Sequence, residues 1–223
     1  MTAFALTAEQ RALTDEVREL AARELRPIAD DGEPGRVNRE LIRTMARFGL
    51  LDRMFPGVAE GEPELISATG FSLIWEALAT ESTQAGTAFA LQGIGSYPLL
   101  AFGQQEQILR WLPAVATGEA VPSFALYESS GGGDPAALSL TAEPDAGGWR
   151  LAGEKTWVYN APEADFYAVF ARTGPEPGAE GVSAFLVPAI RPGLSGERLD
   201  MVGPHPVGTL TFDDVPVTAD DLP

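Results

Sequence analysis

The chain has 223 residues, 45% of them apolar, with 32 acidic against 15 basic side chains, a net charge of −17, no cysteine, one histidine and one lysine. That apolar share is too high for a disordered chain and enough for a packed core. The dispersed negative charge excludes a general nucleic-acid binder, and the missing cysteines exclude disulfides, thiolate metal sites and cysteine nucleophiles. A single histidine, His205, cannot build a multi-histidine metal site. The first residues carry no basic start with an apolar run behind it, and no stretch approaches membrane-spanning length, so a cytoplasmic protein with no membrane, metal or nucleic-acid partner is expected.

Helical periodicity runs from Thr7 to about Leu112. Thr7 and Gln10 form a capping-box pattern, and Leu13, Val17, Leu20 and Ala21 recur at helix spacing until Pro27 is expected to end the run. Asn38 offers the cap of a second helix with Leu41, Met45 and Phe48 on one face and Gly49 as its exit. Phe71, Ile74, Trp75 and Leu78 form a third stripe, expected to be core or a subunit contact, and further helices are predicted over 84–91 and 104–112. This is the pattern of a helix bundle.

Beyond Gly118 the period changes to short β-rich runs at 121–126, 138–143, 149–152, 166–172, 182–187 and 209–212. Pro144, Asp145, Gly147 and Gly148 supply a hairpin turn. The expectation is an α+β protein, with an N-terminal α-helical bundle domain over 1–118 followed by a small antiparallel β-sandwich or barrel domain over 119–223.

Several ordered motifs narrow this further. Phe102-Gly-Gln-Gln-Glu-Gln, Trp111-Leu-Pro and Thr117-Gly-Glu lead into Phe124-Ala-Leu-Tyr-Glu-Ser-Ser-Gly-Gly-Gly-Asp134, and Gly153-Glu-Lys-Thr-Trp-Val-Tyr-Asn160 comes next. Ser183-Ala-Phe-Leu-Val187, Pro192-Gly-Leu194 and Phe212-Asp-Asp-Val215 follow in order. Over nearly its whole length the chain resembles the acyl-CoA dehydrogenases, and the resemblance implies an oxidoreductase fold that holds FAD against the β-domain. By position, Leu126, Tyr127, Gly132 and Gly133 take the roles of the loop that binds the flavin ring and pyrophosphate, while Trp157 and Tyr159 take those of the second motif. Glycines let backbone N–H groups approach a phosphate, and a tryptophan offers a flat wall.

The chain departs from the family pattern where Tyr127 and Tyr159 stand in place of small hydroxyl residues, Gly133 replaces a serine, Ser129-Ser130 replace Pro-Gly, and Gly203 replaces an arginine. Each tyrosine adds ring volume, so weak FAD retention by the lone chain is expected, with binding once a partner covers the site. In the family the base that removes the α-proton lies in C-terminal helices, for which this sequence has no counterpart, so no residue here inherits that role and the catalytic residues are not identified. The resemblance therefore implies one subunit of a hetero-oligomer, inactive alone, whose partner chain carries the C-terminal helical domain and whose substrate is an acyl-CoA or acyl-carrier-protein thioester. The alternative is a flavin-free relative acting as a scaffold or as a binder of an acyl or polyketide-like ligand.

Blander readings accompany each candidate. Gly131 to Gly133 also suit a plain turn, and Trp157 and Tyr159 also suit strand core packing. Glu128 is a conceivable base but is expected to be a solvated loop carboxylate. His205, between two prolines, has no nucleophile elbow to serve. Asp213-Asp214 and Asp220-Asp221 lack calcium-loop spacing and are expected at strand ends.

Overall fold

The computed structural model describes residues 5–58, 61–64, 66–130 and 137–223. Helix α1 (Ala8–Leu20) opens with both halves of the capping box between Thr7 and Gln10. The helical run does not stop at Pro27. A wider turn over Ala21–Leu25, in which the Arg26 N–H donates to the Ala21 carbonyl, carries the chain into α2 (Arg26–Asp30), and Pro27, which has no N–H to give to the preceding turn, lies directly after it. Asn38 caps α3 (Arg39–Arg47) by accepting from the Leu41 N–H at 2.9 Å. Gly49, with φ of 73°, turns the chain after α3 but leads at once into α4 (Leu50–Met54), a short helix that buries Leu50, Leu51 and Met54.

Helices α5 (Ala68–Glu81), α6 (Thr83–Phe102) and α7 (Gln105–Ala116) complete the helical part. The stripe predicted on α5 divides: Ile74 and Leu78 are buried, whereas Trp75 is exposed. Among the described residues no helix is long and apolar enough to cross a membrane.

The strands are β1 (Pro122–Ala125), β2 (Thr141–Asp145), β3 (Gly148–Tyr159), β4 (Phe166–Arg172), β5 (Val182–Pro188), β6 (Leu194–Arg198) and β7 (Val207–Thr218). They form one curled sheet in the order β1-β4-β2-β3-β7-β6, with β5 paired to β4. The sheet is mixed rather than purely antiparallel. β1 runs parallel to β4, Pro122 opposite Phe166, and β2 meets β4 in parallel at Thr141 and Arg172. Strand β6, with Gly196, Glu197 and Arg198, shows too little apolar alternation to have been predicted.

One core cluster belongs to the helices but also takes in Val121, Phe166, Ala168 and Leu186, so one face of the sheet completes the helical core. Trp111 of α7 packs on Phe166 of β4 with ring centroids 4.6 Å apart. Polar bonds lock the same junction. Arg39 donates to Asp165 at 2.8 Å and to the Glu163 carbonyl at 2.7 Å, and the Val121 N–H donates to Asp165 at 2.7 Å. Gln104 and Gln107 donate to the carbonyls of Ala219, Asp220 and Leu222.

Because Phe166 is a strand residue inside a helical core, Phe166→Ala is expected to lower stability by about 3–5 kcal/mol and to unfold helices and sheet in one transition. Chemical denaturation followed by far-UV ellipticity and tryptophan fluorescence checks this; separated transitions would show that the two parts are not coupled through this residue.

Candidate active site at the junction of helices and sheet

Helix α6 lies close against the sheet at Gly95, where an added Cβ would lie 2.8 Å from backbone and side-chain atoms of Pro122. Beyond this contact α6 and the sheet diverge, leaving a largely apolar cleft of about 400 Å³. Leu91 and Ile94 line it from the helix, Phe124 and Tyr127 from the end of β1, Trp157 and Tyr159 from β3, and Met201 from the loop before β7. Its size is within the range of small-ligand sites.

A slip of register brings Trp157 into the cleft. The β3–β7 pairing jumps between Lys155 and Val158, so Thr156 and Trp157 form a bulge. Trp157 has φ of 56°, in the left-handed region that costs a bulky side chain roughly 1–2 kcal/mol, and its side chain is 56% exposed while Lys155 and Val158 on either side are buried. Local packing alone gives no reason for such an arrangement. Tyr159 is also exposed, and its carbonyl accepts from the Ser123 hydroxyl at 2.6 Å. Asn160 Nδ2 donates to the Pro122 carbonyl at 3.0 Å, which fixes β1 against the end of β3.

Of the residues singled out in the sequence, Tyr127, Trp157 and Tyr159 meet around one cleft and Leu126 lies half-buried beside it. The core-packing reading of Trp157 and Tyr159 fails, because both side chains face solvent. Gly132 and Gly133 lie outside the described residues. His205 sits apart, in a narrow crevice with Gln84 and Thr87, where burial pushes its imidazole down. Asp213 and Asp214 lie within β7 rather than at its end, and Asp221 accepts from the Thr218 N–H and pairs with Arg191. Among the described residues no cluster of acidic or histidine side chains suits a metal.

Glu128 corrects the expectation of a solvated carboxylate. It is 5% exposed and pairs with the fully buried Lys155 at 2.7 Å. The carboxylate also accepts from the Ser139 N–H at 2.6 Å, the Leu140 N–H at 3.0 Å and the Ser139 hydroxyl, and Lys155 Nζ donates to the Leu126 carbonyl at 3.1 Å. Burial raises the Glu128 carboxyl, but the bonds from Lys155, Ser139 and Leu140 outweigh it and hold the group below its ordinary value. Burial lowers the Lys155 ammonium, and the facing carboxylate draws it part of the way back. The sequence held a signal for this pair: the chain's sole lysine falls inside a strand motif.

The cleft can hold a flat apolar ring and offer it two phenolic hydroxyls. Among its described lining residues there is no carboxylate and no imidazole, so they cannot take up a proton there at neutral pH. Fold and site together define a two-part α+β protein with a cleft walled by Tyr127, Trp157 and Tyr159 at the helix–sheet junction. Residues 7–119 match the acyl-CoA dehydrogenase N-terminal domain and residues 123–215 the acyl-CoA dehydrogenase middle domain, so the chain belongs to the acyl-CoA dehydrogenase family.

Among its relatives, glutaryl-CoA dehydrogenase of Desulfococcus multivorans is 29% identical over 98% of this chain and 58% of its own length. The mitochondrial short-chain specific acyl-CoA dehydrogenase of Bos taurus is 33% identical over 92% of this chain and 50% of its own length. A solved structure described as the FAD complex of PigA superposes with a TM-score of 0.86 at 26% identity, covering 98% of this chain and 58% of that one. The chain thus spans between half and three-fifths of the length of these relatives.

Glu128→Gln leaves a buried ammonium without its counter-charge and is expected to cost about 3 kcal/mol at neutral pH. A folded carboxyl held below its ordinary value of 4.5 contributes stability that is complete above that value and lost as pH falls through the folded one. The gap between wild type and variant should therefore close in acid, which denaturant midpoints measured from neutral pH downward will show. A gap independent of pH would mean that the carboxylate charge is not what stabilises.

Proposed function

We propose that this chain forms the flavin-holding half of an acyl-thioester dehydrogenase. The observation that carries the reading is Trp157, turned out of its strand by a strained bulge so that its indole walls the cleft. A side chain kept exposed at a cost in backbone energy points to a ligand on its face.

The residues present fit the ring of FAD. The Trp157 face suits the isoalloxazine, the hydroxyls of Tyr127 and Tyr159 suit its polar edge, and Leu126 flanks the same loop. Gly132 and Gly133 are assigned to the pyrophosphate on the family pattern. The added rings border the cleft rather than plug it, since Tyr127 is 50% and Tyr159 43% exposed beside an open volume of about 400 Å³. When bound, the flavin supplies the acceptor for the hydride lost from the β-carbon of the acyl thioester. Trp157 and Ile94 exclude water from that face, and the two phenols orient the ring.

The α-proton needs a base that the cleft lining does not offer. In this reading a helical segment outside the two matched domains brings it, carried by a partner chain. Exposed Tyr97, Phe102 and Leu109 on α6 and α7 are apolar surface available for such a contact. A flavin-free relative is the second reading, favoured by the same two phenols standing where the family has small hydroxyls; the cleft would then take an acyl or polyketide-like chain.

The test is flavin absorbance after gel filtration of the chain with FAD, with and without the partner. Weak retention alone and stoichiometric flavin in the complex are expected, with Trp157→Ala reducing affinity roughly tenfold, the scale of about 1–1.5 kcal/mol for a lost aromatic stack. The lone chain should dehydrogenate no acyl-CoA even with an artificial electron acceptor. Absence of flavin from the complex, recovered by Tyr127→Thr with Tyr159→Thr, would establish the flavin-free reading instead.

A further inference from the structure

The buried pair of Lys155 and Glu128 lies behind the cleft wall and contacts none of the cleft space. Its bonds nevertheless converge on the residues that build the wall. Tyr127 stands between Leu126, whose carbonyl accepts from Lys155, and Glu128, which binds the same ammonium at 2.7 Å. The next residue on the other strand, Thr156, donates its N–H to the Tyr127 carbonyl at 2.9 Å, and Trp157 follows it directly. Glu128 also gathers the N–H groups of Ser139 and Leu140, so it ties the two ends of the stretch 129–138 together.

Stability alone gives weak grounds for this arrangement, because a buried ion pair can generally be replaced by apolar residues of similar volume with little loss. What an apolar pair cannot reproduce is direction: five hydrogen bonds from two side chains fix three segments in one register.

We propose that Lys155 and Glu128 are positioning residues that set Tyr127 against Trp157, and that cofactor affinity depends on this setting. The inference rests on the flavin reading for its ligand and on the hydrogen bonds above for its geometry. Neither residue touches the ring. They act through the backbone of Leu126 and Tyr127 and through the bulge at Thr156 and Trp157.

The test is the full-length chain carrying Glu128→Gln with Lys155→Met. This pair of changes leaves no buried charge, and the single glutamine oxygen still accepts from Ser139 in the place of Oε2, while the bond from Leu140 to Oε1 and the bridge from β3 to Leu126 and Glu128 are cut. Three quantities are read: the thermal midpoint, the exchange rate of the Thr156 amide, and the dissociation constant for FAD from flavin fluorescence. A midpoint near wild type, Thr156 exchange at least tenfold faster and an FAD dissociation constant raised roughly tenfold or more are expected, the scale seen when supporting residues behind a binding site are removed. Unchanged FAD affinity in a variant whose Thr156 amide has loosened would overturn the proposal, leaving the pair as structural only.

If wild type binds no FAD even in complex with its partner, the flavin reading fails by itself, and the Thr156 amide decides the positioning claim: faster exchange upholds it and unchanged exchange refutes it. Should the double variant not fold, Glu128→Asp keeps both charges and draws the carboxylate back by one methylene. It should raise the FAD dissociation constant and Thr156 exchange in the same direction, and no change in either sinks the proposal.

Discussion

Helix α6 meets β1 at Gly95, so near that an added Cβ would lie 2.8 Å from Pro122. Everything nearby inherits its position from this contact. Val121 and Phe166 enter the helical core where helix and sheet lie this close, and the same contact, through Gly95 and Ser123, borders the cleft. A side chain at position 95 would lift the helix off the strand, opening the core and displacing the cleft floor together. Packing and site are therefore one geometric problem, as is common for ligand sites placed where two layers meet.

Electrostatics enters on two scales. At long range a net charge of −17 repels a phosphate-bearing ligand. At short range the fold spends its only lysine inside the sheet, neutralising a single carboxylate rather than facing solvent. The described cleft lining has no arginine or lysine, so under the flavin reading attraction there would come from oriented backbone N–H groups and phenolic hydroxyls, which act over a few ångströms and are screened little by salt. Affinity in such a site depends on how well the donors are held, more than on how much positive charge is present.

Much of this was legible in the sequence, for identifiable reasons. Capping residues at Thr7 and Asn38, the left-handed glycine at 49 and the apolar run 166–172 are local signals, and local structure followed them. α6 was only partly anticipated because it is apolar almost all round and shows no stripe. The parallel pairing of β1 with β4 and the strand β6 were missed because pairing partners are set by the whole sheet, which turn residues do not encode. At the site, motif order brought Tyr127, Trp157 and Tyr159 to one place, while the burial of Glu128 needed knowledge that Lys155, Ser139 and Leu140 surround it. Long-range contacts of that kind leave no periodic trace.

The left-handed backbone at Trp157 sets two kinds of fitness against each other. Glycine would occupy that conformation without strain and would relax the bulge, so a population selected only for folding has a downhill route that removes the indole. A lineage that no longer needed a ring held in the cleft would be free to take it. Under the flavin reading, tryptophan at a glycine-favouring position is tied to the ligand on its face, and among divergent copies of this protein position 157 is where a lost ligand would first leave its mark.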